Sequence, residues 1–269
     1  MSLLLTAGAW ERVTPASAGW RFLSFHVERL VGAASRATGE EETALVLLEG
    51  SCAVEADGER FELGPRAGVF RELPWTLYLP RDCEYSLEGA AELAVASCPA
   101  ERRLAPVLQR PGEVDVEIRG AGNATRQINN MIQPGFPAER ILVVEVLTPA
   151  GNWSSYPPHK HDEDRPPSEV VLEEVYYYRA PAPEAFGLQR LYSPARKVDE
   201  TWVVRDGDLV LVPYGYHAFA AAPGYDFYYL NALAGDHHSM AASDDPALAW
   251  IRSIWPDTAK DPRVPLVAA

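Results

Sequence analysis

The amino-acid sequence predicts an all-β fold of two successive barrels, with a few short helices. Two observations predict it. Short apolar or alternating runs such as Ala44-Leu45-Val46-Leu47-Leu48, Ile141-Leu142-Val143-Val144 and Leu209-Val210-Leu211-Val212 recur between Gly, Pro and Asp turns, the pattern of short strands in sandwiches and barrels. An internal echo sets Gly68-Val69-Phe70 through Leu79-Pro80-Arg81-Asp82-Cys83-Glu84 beside Gly207-Asp208-Leu209 through Val212-Pro213-Tyr214-Gly215-Tyr216-His217, so each half supplies one barrel.

The elements follow in order. A first barrel over residues 1–110 carries no metal ligands: Glu84 stands where His217 stands in the echo, and the first half has no His-x-His pair. Residues 101–122, with Pro106, Pro111 and mixed charge, read as the connection. The second barrel, residues 111–269, holds the chemistry-bearing residues. Helix is predicted over 246–255, where Asp244 or Asp245 offers an N-cap, and over 126–131. Cys52, Cys83 and Cys98 lack metal-type spacing and read as buried thiols in a reducing compartment. Trp153, Trp202, Trp250 and Trp255 read as core or interface residues.

Composition narrows the partners. Lys and Arg number 24 against 38 Asp and Glu, a formal charge of −14, which repels nucleic acid and anionic membrane surfaces. A small anionic substrate stays compatible, because one Arg or Lys in a cleft dominates locally. The N-terminal stretch has neither a basic region nor a long apolar core, and no run is long enough to span a bilayer. A cytoplasmic protein is expected, with a homodimer through paired sheet edges as its assembly.

The densest signal is Gly151-Asn152-Trp153-Ser154-Ser155-Tyr156-Pro157-Pro158-His159-Lys160-His161, followed by Glu174-Val175-Tyr176-Tyr177-Tyr178. On a strand His159 and His161 share a face while Lys160 points away. A strand over residues 170–178 adds a carboxylate, and His217 follows the turn Pro213-Tyr214-Gly215-Tyr216. Three imidazoles and one carboxylate suit one divalent metal ion, zinc first, with manganese, iron, cobalt or nickel as alternatives, and leave open positions for substrate oxygens. A His-x-His pair alone is often a surface or hydrogen-bonded pair. The ordered run of Gly-led strand, His-x-His, Glu, Gly-Asp strand, Pro-x-Gly and His is what favours metal. Glu173 and Glu174 compete for the ligand position, since alternation turns only one inward. Asp162, Glu163 and Asp164 read as a solvated loop or lid, and His237-His238 as an exposed loop.

That order resembles the two motifs of the cupin superfamily, with a longer gap before the Glu and a shortened second motif. The runs Gly-Asn-Trp-Ser-Ser-Tyr-Pro-Pro-His-Lys-His-Asp, Glu-Glu-Val-Tyr-Tyr and Val-Pro-Tyr-Gly-Tyr-His, with Pro223-Gly224-Tyr225-Asp226-Phe227-Tyr228-Tyr229-Leu230-Asn231, resemble the 5-deoxy-glucuronate isomerase family. The resemblance covers nearly the whole chain, densely over residues 123–255 and loosely in the first half. It implies a bicupin of two double-stranded β-helix barrels, and makes the Glu before Val-Tyr, Glu174, the ligand. It also implies conversion of 5-deoxy-D-glucuronate to 2-deoxy-5-keto-D-gluconate in inositol breakdown, an aldose to ketose isomerisation that moves a hydrogen from C2 to C1. A cation on the carbonyl and hydroxyl oxygens would acidify C2–H.

Such a reaction needs a proton carrier and an anchor for the carboxylate. Gln189, Tyr214, Tyr229 and a metal-bound hydroxide are the candidates for the first; only the tyrosines and the hydroxide exchange protons readily, and Gln189 suits hydrogen bonding to the metal shell or substrate. Arg126 is the first candidate for the second, through two parallel hydrogen bonds, with Arg179 in reserve. Packing is the ordinary reading for the tyrosines and a surface ion pair for the arginines. Three rivals stand beside this reading: a sister isomerase acting on 4-deoxy-5-keto-hexuronate, a metal-dependent dioxygenase, and a non-catalytic sugar-acid-binding protein.

Overall fold

In the first half the long runs Ser24–Ala37, Glu84–Pro99 and Glu41–Ala56 lie side by side in the computed structural model, which describes residues 2–268. Arg12–Val13 flanks them at one edge, Thr76–Leu79 and Val107–Gln109 at the other, and Glu59–Arg66 hairpins onto Glu41–Ala56. The long strands bend where glycines meet. Gly50 has φ +90°, and a Cβ there would lie 2.2 Å from the Ala90 carbonyl oxygen, so no other residue fits without moving backbone. The bend brings Arg36 back onto Glu28 of its own strand. Leu45, Leu47, Val54, Leu77, Leu79 and Leu93 fill the space inside.

The second half has two facing layers. Seven strands run in the order Leu4–Leu5, Leu209–Val212, Leu172–Arg179, Phe227–Gly235, Leu142–Thr148, Arg126–Ile132, Asp115–Arg119. Five run in the order Val198–Val204, Gly187–Ser193, Tyr216–Ala221, Trp153–Lys160, Ser243–Asp244. Ile128, Val146, Tyr178 and Tyr229 of the first layer meet Leu191 and Phe219 of the second. The protein is thus mostly β, with every ladder between named strands antiparallel. Among the described residues none of the three sheets closes its hydrogen bonding into a ring.

The halves share a core. Phe25, Ala44, Val46 and Ala96 pack in one cluster with Val143, Val175, Leu211 and Tyr228. Arg66 reaches across to Glu145, with nitrogen to oxygen distances of 2.8 and 3.0 Å, both side chains fully buried. Leu4–Leu5, from the start of the chain, pairs with Leu209–Val212, and the connecting residues 101–122 contribute a strand to each half.

Several local expectations change. The stretch predicted as helix at 126–131 is the strand Arg126–Ile132, because Asp115–Arg119 and Leu142–Thr148 pair on both sides of it and sheet pairing overrides a weak helical pattern. The C-terminal helix shortens to Ile251–Ile254 with a following turn at Trp255–Asp257; Asp245 heads the preceding turns by accepting from the Ala247 amide at 2.9 Å. Trp153 and Trp250 are exposed rather than core residues. All three cysteines are buried and free. Among the described residues no helix is long and apolar enough to cross a membrane.

Candidate active site

The strand Trp153–Lys160 pairs with Tyr216–Ala221 and sets His159 opposite His217. Its register slips between Ser154 and His159, and Ser155 takes a left-handed φ of +50°. A serine holds that conformation only where its surroundings fix it: Ser155 Oγ lies 2.9 Å from Tyr176 Oη and 3.2 Å from Tyr229 Oη. Such a bulge re-aims side chains, and here Ser155, His159 and His161 all line a cavity of about 100 Å³ between the two layers.

Glu174 arrives from the facing layer. Its Oε2 lies 2.9 Å from His161 Nε2 and 3.2 Å from His217 Nε2, and the ligand atoms of the three residues all fall within 4.8 Å of one another. Two ligand atoms about 2.1 Å from one ion and at right angles are about 3 Å apart, so the spacing suits a single ion. Backbone carbonyls orient both rings: His161 Nδ1 is 3.0 Å from Leu172 O and His217 Nδ1 is 3.1 Å from Gly215 O. A proton at Nδ1 then leaves each Nε2 lone pair facing the centre. His217 Nε2 is buried without a hydrogen-bond partner, which a cation would satisfy. His159 sits beside this trio, its ring centroid 4.5 Å from that of His217 and 6.4 Å from that of His161.

Electrostatics favour the ligand form at Glu174 and His159, while, despite burial, the Glu174 carboxylate beside His161 raises that imidazole. Burial alone would raise the Glu174 carboxyl, but the adjoining His161 and His217 rings outweigh it and hold the group down to about 2. Burial, reinforced by His217, keeps His159 well below the usual histidine range. A carboxylate and a neutral imidazole are the ligand forms a divalent ion requires.

Lys160 turns away from the cavity and organises the loop after it. Its Nζ donates to Asp162 at 2.7 Å, Glu163 at 2.8 Å and Glu169 at 2.7 Å. Asp162 in turn accepts from the Gly215 amide at 2.9 Å, tying the loop to the turn before His217. Asp162 is thereby fixed, while Glu163 and Asp164 stay exposed, as expected of a solvated loop.

The remaining predicted residues divide. Arg126 lies in the cavity wall, 3% exposed, and donates to the carbonyls of Ala124 at 3.0 Å and Tyr156 at 3.2 Å. No carboxylate pairs with it among the described residues, and burial brings its guanidinium down to about 10. Tyr229 is in the cavity, its hydroxyl 3.0 Å from Ser154 Oγ. Arg179 is elsewhere, donating to Glu92 at 2.6 Å and Asp206 at 2.9 Å: two carboxylates already occupy it. Gln189 is buried behind the wall, where its Oε1 accepts from Tyr178 Oη at 2.7 Å. Tyr214 lies under the Arg196 guanidinium, 4.3 Å from the ring centroid, and does not reach the cavity.

A family model described as KduI/IolB matches residues 5–251. This chain belongs to the KduI/IolB family. Relatives include the 5-deoxy-glucuronate isomerase of Geobacillus kaustophilus, 44% identical over 246 residues, 89% of each chain. That of Bacillus subtilis strain 168 is 35% identical over 248 residues, 90% of this chain and 92% of the relative. An IolB-like protein from Salmonella typhimurium has a crystal structure that superposes with a TM-score of 0.90 at 38% identity, covering 94% of this chain and 100% of that one. An oxalate decarboxylase of Lactobacillus farciminis shares the cupin-like fold, with a TM-score of 0.63 at 13% identity over 85% of this chain and 81% of its own.

Against the family background, the cavity holds residues that the sequence did not single out. Ser155 and Tyr176 join Tyr229 in one hydroxyl cluster, and Asn130, Asn231 and Arg119 line the wall. Tyr176 was accessible by alternation, being two residues from Glu174 on the same strand. Ser155 carried no signal, since its orientation depends on the bulge.

Proposed function

We propose that this protein is a metal-dependent isomerase of 5-deoxy-glucuronate, converting the aldose to the 2-deoxy-5-keto acid. The observation that carries the reading is that His161 and Glu174, which form a cluster with His217, line the same cavity as a buried Arg126 that no carboxylate neutralises among the described residues. The names of the Geobacillus and Bacillus relatives point to the same substrate. The cupin-like neighbour and the internal echo support reading each half as a barrel-like unit, the first without a metal site.

His161, Glu174 and His217, with His159 closing the set, would hold one divalent ion, zinc first. When bound, such an ion polarises a carbonyl and acidifies the neighbouring C–H. Arg126 receives the substrate carboxylate: its Nη1 is engaged by carbonyls, and a desolvated guanidinium with its other donor edge open gains most from a bidentate anion. Tyr229 Oη, joined through Ser155 Oγ to Tyr176 Oη, is the proton-carrying group. Burial raises both phenols, so they keep their protons until a base takes one. Arg179, held by Glu92 and Asp206, Gln189, held by Tyr178, and Tyr214, under Arg196, take no part in this mechanism.

Proton NMR of 5-deoxy-D-glucuronate in D2O with zinc-loaded protein tests this. Loss of the hemiacetal signal with growth of the ketose, halted by chelator, is the expected result. Metal retention without conversion of this substrate, but with conversion of 4-deoxy-5-keto-hexuronate, would transfer the assignment to the sister reaction.

A further inference from the structure

Glu173, the neighbour of Glu174, faces outward and is bound by the other half of the molecule. Its carboxylate accepts from three successive backbone amides, Arg21 at 2.6 Å, Phe22 at 2.9 Å and Leu23 at 2.8 Å. The first half carries the mirror device. Glu42 accepts from the successive amides of Glu139 at 2.8 Å, Arg140 at 2.6 Å and Ile141 at 2.8 Å, all in the second half. The two clamps meet: the guanidinium groups of Arg21 and Arg140 lie over Phe22 at 4.6 and 5.4 Å, and both pair with Asp236.

Strand register shows that the two glutamates are equivalent. Glu174 pairs with Val212 on one side and Leu233 on the other, while Thr43 pairs with Leu79 and Ser97. Leu79 and Val212 coincide in the internal echo. Thr43 therefore stands in the place of Glu174, and Glu42 in the place of Glu173. The duplicated fold kept both clamps and only one ligand.

From this we infer that Glu173 is a positioning residue for the metal centre: the first half grips its carboxylate and thereby fixes the strand from which Glu174 reaches His161 and His217. The inference rests on the proposed metal site. Adjacent residues of a strand point to opposite faces, so a shift of the outer carboxylate displaces the inner one through a single peptide unit. Glu42 makes the same kind of contact next to a threonine, with no ligand to displace. It is an internal control for the cost of losing a clamp.

The test compares Glu173→Gln with Glu42→Gln, measuring the Zn2+ dissociation constant by competition with a chelating dye, and the melting temperature. Both variants are expected to melt lower. Only Glu173→Gln should weaken Zn2+, by about 10-fold or more, the usual cost of disturbing an outer-shell partner, with Glu42→Gln unchanged. Unchanged Zn2+ affinity in Glu173→Gln, or an equal loss in both variants, overturns the inference. If Glu173→Gln does not fold, Glu173→Asp, which keeps the charge but shortens the reach, takes its place with the same expectations. Wild-type protein that binds no Zn2+ would instead overturn the metal reading itself.

Discussion

Arg126 shows most directly what the site demands of a single residue. A guanidinium that is 3% exposed, hydrogen-bonds carbonyls and lies 5.7 Å from the Trp255 ring centroid carries a desolvation cost that no counter-ion among the described residues offsets. Arg126→Met should therefore raise the melting temperature, by about 1 kcal/mol or more of stability, while KM for the sugar acid rises at least about 10-fold. A melting temperature that falls would show that the guanidinium is supported by the fold itself. The ligand residues behave in the opposite sense. His217→Ala should abolish Zn2+ retention and turnover together, whereas Glu84→Ala, at the corresponding place in the first half, should spare both; equilibrium dialysis with Zn2+ beside the NMR assay reads each. Sequence could bring His161, Glu174 and His217 to notice because ligand chemistry imposes residue type and spacing. It ranked Arg126 ahead of Arg179 but could not see that Arg179 is already paired, since that depends on carboxylates such as Glu92 and Asp206 that are remote in the chain.

At the scale of elements, alternation made the strands legible and pairing decided the exceptions. The strand Arg126–Ile132 looked helical because its polar residues alternate poorly; Asn129 and Gln127 are buried through hydrogen bonds to Glu145 and Val267, which no local pattern announces. The glycine bend of the first half is a geometric requirement of the same kind. Gly50→Ala forces a Cβ to 2.2 Å from a backbone oxygen at φ +90°, whereas Gly19, at φ +70°, has nothing within 4 Å of the added atom. Urea unfolding should show about 3 kcal/mol lost for the first and about 1 kcal/mol for Gly19→Ala; equal losses would remove the close approach as the cause. The loop after the histidine strand adds a pH dependence. Burial would raise the Glu169 carboxyl, but Lys160, the Asp162 amide and Arg165 together hold it at about 2 against an ordinary 4.5. A depressed folded-state pKa contributes stability that is complete above the ordinary value and disappears as pH falls through the folded one. Wild type should lose this contribution between about pH 4.5 and 2, and Glu169→Gln should be less stable at pH 7 with a shallower acid limb, read from melting temperature against pH.

Over the whole molecule, duplication explains both what was legible and what was not. The echo between Leu79 and Val212 announced two related halves, and the registers around Thr43 and Glu174 match it. Nothing in either half alone announces their joint core, because the residues that build it alternate along their strands with those that fill each half's own interior, and a separate half would leave them to solvent. Arg66 and Glu145 join the halves at its centre, and Tyr228 donates to the same carboxylate at 2.7 Å. Removing one partner strands a buried charge, at a cost of about 3 to 5 kcal/mol, whereas replacing both by apolar residues often costs far less. Glu145→Leu alone should therefore melt well below wild type, and Arg66→Met with Glu145→Leu should recover part of the loss. Recovery stays incomplete because Tyr228 and Asn129 lose their acceptor. Scanning calorimetry should show one transition in wild type and in both variants, since the shared cluster couples the halves. Two separated transitions in wild type would mean that each half unfolds on its own, and that the first half does not hold the ligand strand of the second.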